Sequence, residues 1–245
     1  MTTRLVSDKR GSGATLPGVA ADSELIDALR GALREAAQPE LAGSMQAYMK
    51  SATPYLGVRV PVMRALTRAE AKRRPFTASA DVIDTVLGLW RAADYREERY
   101  AAIALLDTPA ARRVRDPALL ETLRELILTG AWWDYVDELA HRVGDLQLGW
   151  PAEVRPTLVT WARSEDRWLR RASIICQLGA RDRVDLELLT LAIESSAGDR
   201  DFFLRKAIGW ALRDYARTDP AWVRSFAETR ELSPLSRREA LKHLA

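Results

Sequence analysis

Cysteine is all but missing from this chain. Cys176, in the apolar run Ile174-Ile175-Cys176, has no partner for a disulfide and no companion for a zinc site. It reads as a small buried core residue in a reducing cytosol, so the expected localisation is cytoplasmic. Histidine is scarce, at His141 and His243. Lysine occurs only at Lys9, Lys50, Lys72, Lys206 and Lys242, so the basic charge is carried by arginine. Arginine suits phosphate forks, although a GC-rich coding genome gives the same bias. No stretch approaches the ~18 uninterrupted apolar residues of a membrane span. Residues 1–20 are rich in Thr, Ser and Gly and lack the apolar run of a signal peptide, so a flexible N-terminal tail is expected there. Strand-like alternation is absent. Together these gaps exclude a disulfide scaffold, a zinc module, a membrane protein and a sheet-based fold.

What is present is apolar and helical. The 47% hydrophobic content excludes global disorder, and the net charge of +3 is a mild pull toward an anionic partner. Helices of roughly 10–17 residues, broken by short turns, account for nearly everything after the tail. One begins at Asp22-Ser23-Glu24 and is ended by Gln38-Pro39. Others run from Ala42 to Lys50, from Val60-Pro61, from an Asp81 cap to Trp90, and from Glu97 to Asp107. Asp116-Pro117 and Asp219-Pro220 share an acidic N-cap followed by proline at the first helical position. Further starts fall near Ala131, Ala152, Asp166, Asp185, Asp201 and Ser236. About a dozen helices at roughly 30–40 residues per pair predict an all-α superhelical stack of antiparallel helix pairs, HEAT-like, spanning 21–245 as a single domain with a concave face. A compact helical bundle is the alternative.

Two segments break the usual helix pattern. In Asp201–Trp210 and beyond, Leu204, Ile208, Ala211 and Tyr215 form a core stripe. On the opposite face Phe202, Lys206, Trp210 and Arg213 interleave aromatics with cations, a surface suited to a flat ring and a polyanion. In the Ala131–Asp137 segment, Trp132, Val136, Leu139, Val143 and Leu146 make the core stripe. Trp133 and Asp137 lie together on the other side, with Asp134 and His141 near them. An aromatic face beside a carboxylate is a receptor for a cationic planar group. The plain alternatives are that both off-stripe tryptophans pack on a neighbouring layer and that Asp137 pairs with a surface arginine. Asp134, Asp137 and His141 share a side, but such spacing is common on exposed helices, and neither a metal nor a cofactor is expected.

Several motifs together resemble the AlkD family of HEAT-like-repeat DNA glycosylases. They are Trp132-Trp-Asp-Tyr-Val-Asp137, Trp168-Leu-Arg-Arg-Ala172, Phe202-Phe-Leu-Arg-Lys-Ala-Ile-Gly-Trp210 with Leu212-Arg-Asp-Tyr-Ala216, and Leu235-Ser-Arg-Arg-Glu-Ala-Leu-Lys-His-Leu244. Tyr48-Met-Lys50 and Gly57-Val-Arg-Val-Pro61 are similar to the family's early signature. The resemblance implies excision of cationic N3- and N7-alkylated purines, 3-methyladenine and 7-methylguanine, from duplex DNA by a monomer. It assigns Asp137 as the catalytic carboxylate, Trp133 and Trp210 as lesion contacts, and Arg171 as a DNA contact. Tyr48, Phe202 and Phe203 then line the cleft. Periodicity alone picks Arg170 for phosphate, because it points fully outward, while Arg171 sits at the edge of the Trp168/Ala172/Ile175 stripe.

The chemistry fits these residue types. Cleaving an N-glycosidic bond develops positive charge on the sugar. An alkylated purine cation leaves as a neutral base, so one carboxylate suffices to stabilise the sugar and position water. Arg171, Lys206 and Arg213 are expected to neutralise phosphates beside the lesion. The competing reading is a non-catalytic HEAT-like scaffold that binds DNA or protein.

Overall fold

The structure is a computed structural model that describes residues 21–244, so the expected tail at 1–20 lies outside the described residues. Among them the chain forms fourteen α-helices and one 3-10 turn. The helices are α1 (Ser23–Glu35), α2 (Pro39–Met49), α3 (Val60–Arg73), α4 (Ser79–Arg91), α5 (Arg96–Leu105), α6 (Pro109–Arg113), α7 (Leu119–Gly130), α8 (Trp133–Gly149), α9 (Pro151–Ala162), α10 (Arg167–Ile175), α11 (Leu186–Glu194), α12 (Phe202–Tyr215), α13 (Pro220–Thr229) and α14 (Pro234–Leu241).

Acidic caps set many of the starts. Asp22, Asp166, Asp185, Asp201 and Asp219 each accept hydrogen bonds from the first free backbone N–H groups of their helix. Such a cap is worth about 1 kcal/mol. Proline moves other boundaries. Gln38-Pro39 starts α2 rather than merely ending α1, because Pro39 needs no N–H at the first helical position. Asp116-Pro117 forms a turn in which the Asp116 carboxylate takes the Ala118 N–H, and α7 begins only at Leu119. Asp81 lies inside α4 and reaches back to the N–H groups of Thr77 and Ala78. The short α6, capped by Thr108, was not expected.

The helices form two rows. Helices α3, α5, α8, α10, α12 and α14 pack each on the next. Behind them α1, α4, α7, α9 and α13 pack on their partners α3, α5, α8, α10 and α14. One apolar core runs through the stack, from Leu25 and Leu29 through Leu139 and Ile208 to Ala240. Cys176 is part of it, and burial pushes its thiol up to about 12.

Polar links repeat with the stack. Arg96 reaches Asp134 across 38 residues, Arg142 reaches Asp107 across 35, Arg91 reaches Glu125 across 34, and Arg155 reaches Asp185 across 30. This spacing is the structural repeat itself, written in ion pairs rather than in similar sequence. One link is wholly buried: the Glu97 carboxylate accepts the N–H groups of Leu56, Gly57 and Val58 at 2.9–3.0 Å and fixes the α2–α3 loop. Gly57 in that loop has φ +86°, and a Cβ there would lie 2.0 Å from the Gln38 carbonyl oxygen. Among the described residues no helix is long and apolar enough to cross a membrane.

Candidate active site

A left-handed residue, Ala131 at φ 43°, closes α7, and Trp132 then caps α8 with its backbone alone. The sharp turn sends the two tryptophans different ways. Trp132, expected on the α8 core stripe, sits ahead of the helix, half-buried, against Trp168 and Phe203 with ring centroids 6.3 and 5.9 Å away. Trp133, the first helical residue, faces a cleft of about 390 Å³. Asp137 lies one turn further along the same wall, and Trp210 of α12 lines it as well. The opposite side comes from Met49 at the end of α2, Val60, Met63 and Arg64 of α3, and Tyr100, Ile103 and Ala104 of α5.

Each carboxylate in this wall already holds an arginine. Arg171 of α10, only 5% exposed, donates Nε and Nη2 to the two Asp137 oxygens at 2.7 and 2.8 Å and Nη1 to the Phe203 carbonyl at 2.5 Å. Burial nonetheless outweighs this contact and raises the Asp137 carboxyl above its ordinary value, with a further push from the nearby Asp134 charge. Asp134 accepts from Arg96 at 2.6 Å and from the Tyr100 hydroxyl at 2.5 Å. Burial and the Asp134 charge drive the Tyr100 phenol far above its usual range, so it remains a donor. The Arg96 guanidinium is stacked 4.1 Å from the Tyr135 ring centroid, locking the first turn of α8 from below. Glu138 meets Arg64 at 2.9 Å and Arg142 at 3.2 Å. The wall is therefore rich in carboxylates, each of them countered by at least one guanidinium.

Helix α12 presents its outward line differently. Phe202 is 58% exposed at its start. Lys206 and Arg213 both contact the same Glu239 oxygen of α14, at 3.2 and 2.7 Å, and the pair holds the Glu239 carboxyl below its ordinary value. Gly209 makes this contact possible: a Cβ there would stand 2.4 Å from the Glu239 Cβ, so only glycine lets α14 come so near.

Of the nine expected site residues, the structure gathers Trp133, Asp137 and Trp210 in one cleft wall, with Arg171 bonded to Asp137 behind it. Phe203 stacks in the aromatic cluster with Trp132 and Trp168 and offers its carbonyl to Arg171. Tyr48, 77% exposed, precedes the cleft residue Met49. Arg170, the periodicity's choice for phosphate, is paired with Asp199 at 2.9 Å. Arg64, Tyr100, Glu138 and Arg142 line the cleft unannounced by the sequence reading. Val60 and Val62, on either side of Pro61 and both exposed, were the available signal for the α3 side of the cleft. Among the described residues no group of His, Cys, Asp and Glu is placed to hold a metal ion.

The model of the DNA alkylation repair enzyme family matches residues 29–244. The chain belongs to this family. Its fold is similar to the solved structure of a predicted DNA alkylation repair enzyme from Enterococcus faecalis, at 30% identity and a TM-score of 0.77, over 85% of this chain and 97% of that one. Among the curated proteins none matches the chain.

Proposed function

We propose that the protein is a monofunctional DNA glycosylase that hydrolyses the N-glycosidic bond of cationic N3- and N7-alkylated purines in duplex DNA. The observation that carries this reading is the convergence of Trp133, Asp137 and Trp210 from α8 and α12 on one cleft. The row from α3 to α14 is the face that meets the duplex, with Phe202, Phe203, Lys206 and Arg213 along it and Tyr48 contributed by α2. The protein acts as a monomer in the cytoplasm, without cofactor.

Bond breaking leaves an oxocarbenium-like sugar and a neutral purine, because the purine was already a cation. The indole faces of Trp133 and Trp210 attract that cation, each by about 0.5–2 kcal/mol. Asp137 supplies the compensating negative charge. Arg171 occupies one lone pair on each of its oxygens, and a carboxylate has about four acceptor sites. The free sites face C1′ and hold the attacking water. Water adds to C1′ and its proton passes to Asp137, whose raised proton affinity suits a base. Arg171 keeps the carboxylate oriented throughout.

The test is to incubate the purified protein with methylated duplex DNA and measure free 7-methylguanine. Release well above the spontaneous rate is expected. Duplex binding without any release assigns the protein to non-catalytic DNA binding and ends the glycosylase reading.

A further inference from the structure

Beyond Arg64 on α3 lies a second groove of about 370 Å³, lined by Arg68, Ala71, Lys72 and Pro75 along and just past α3 and by the Thr108 cap, Pro109, Ala110 and Arg113 of α6. The two cavities share α3 as a wall: Arg64 lines the first, and Arg68 and Lys72, one and two turns further along the helix, line the second. At 1.5 Å per residue they are about 6 Å apart in axial rise. Arg68, Lys72 and Arg113 are exposed and, among the described residues, make no ion pair. That sets them apart from Arg64, Arg142 and Arg171 around the cleft, each of which holds a carboxylate.

We propose that this second groove, with its rim of Arg68, Lys72 and Arg113, seats the sugar–phosphate backbone of the duplex beyond the lesion. This rests on the glycosylase reading and extends it by a subsite. A DNA strand carries a phosphate about every 3.4 Å of helix axis, so cations roughly 6 Å apart meet about every second one. The floor of Ala71, Pro75, Pro109 and Ala110 is apolar and donates nothing to a base edge. It matches the carbon faces of deoxyribose. The contact therefore positions the strand without reading sequence. The chain's own first twenty residues are an unsuitable occupant, because Arg4, Lys9 and Arg10 against Asp8 give them the same sign of charge as the rim.

The experiment is duplex binding by fluorescence anisotropy over a range of salt. The probe is an undamaged duplex of about two turns. The full-length chain is compared with a variant carrying Arg68→Gln, Lys72→Gln and Arg113→Gln, and with Arg113→Gln alone. Each neutralised phosphate contributes roughly 0.9 to the slope of log affinity on log salt, so the triple variant should lose about 2–3 and the single variant about 1. A control variant, Arg124→Gln with Arg163→Gln on the other row, should keep the wild-type slope. An unchanged slope in the triple variant, or an equal loss in the control, overturns the proposal while leaving the glycosylase reading intact. So does capture of an acidic polyglutamate probe by wild type and not by the triple variant, with duplex binding equal in both. If the wild-type protein neither binds duplex in a salt-dependent way nor releases 7-methylguanine, the glycosylase reading itself fails and the subsite with it.

Discussion

Helices α8 and α12 face the same cleft and are braced by the same device with its sign reversed. On α8 the outward residue is a carboxylate, Asp137, and the arginine that holds it comes from α10 and is buried. On α12 the outward residues are cations, Lys206 and Arg213, and the carboxylate that holds them is Glu239 of α14. The carboxylates themselves are about equally covered, at 16% and 15% side-chain exposure; the difference is in their cations, Arg171 at 6% against Lys206 at 39% and Arg213 at 24%. Asp137 is sealed enough for desolvation to raise its carboxyl, whereas Glu239 is lowered by its two partners. A buried single pair fixes geometry and keeps a charge in low dielectric. A carboxylate shared between two partly exposed cations is held more loosely, since solvent screens each contact.

The strongest way to break the comparison is Arg171→Ala. It leaves Asp137 buried without a partner and the Phe203 carbonyl without its donor. A loss of about 3–5 kcal/mol in denaturant unfolding is expected. A change below 1 kcal/mol would show that the α8 pair is no tighter than the α12 one. Next, Asp137→Asn removes the charge while keeping the shape. Release of 7-methylguanine should fall about 10²-fold or more, with binding to undamaged duplex unchanged or slightly tighter. Release at the wild-type rate would remove Asp137 from the mechanism.

The same charge can be titrated. With the Asp137 carboxyl raised, excision should decline on acidification at a pH above the ordinary carboxylate value of 3.8. The sign for stability is opposite: a folded-state proton affinity above that of the unfolded chain means protonation of this group favours the fold. Activity should therefore disappear before far-UV circular dichroism changes. Simultaneous loss of both would point to unfolding rather than to Asp137.

Trp210→Ala tests the cleft side of α12. Removing one cation–π contact of about 0.5–2 kcal/mol predicts a roughly 2- to 30-fold slower excision. Trp210 is half-buried, so some stability is lost too; full loss of several kcal/mol with normal excision would make it a packing residue alone. The smallest effect is expected from Glu239→Gln. It should cost under about 1 kcal/mol of stability, while freeing Lys206 and Arg213 to steepen the salt dependence of duplex binding. Weaker binding would mean that Glu239 positions the cations rather than restrains them.

The fold was readable because its signals are local. Acidic caps at Asp22, Asp166, Asp201 and Asp219 and the 3.6-residue apolar stripes act within one helix. The boundaries that slipped, at Pro39 and Asp116-Pro117, are those where proline permits either an ending or a beginning. The candidate site was half readable. Trp133 and Asp137 announce themselves by sharing a face, as do Phe202, Lys206 and Trp210. Their partners do not, because Arg171, Arg96 and Glu239 each arrive from about 26 to 38 residues away. A helical wheel shows which way Arg171 points, at the edge of its core stripe, but not that a carboxylate from the neighbouring helix waits there. The α3 wall of the cleft left only the apolar Val60-Pro61-Val62 run as a signal, for the same reason.

The Glu97 carboxylate that gathers three backbone N–H groups of the α2–α3 loop also imposes an order of events. Residues 56–58 are separated from Glu97 by 39 to 41 positions, so the loop has nowhere to hand its amides until α5 has formed and docked. Closing that long loop is entropically slow. The N-terminal lip of the cleft should thus be a late structure in folding, and the first to open in the native state. Hydrogen exchange at Leu56, Gly57 and Val58 should proceed together, as one unit, and set the lifetime of the lip on which Met49 and Val60 stand.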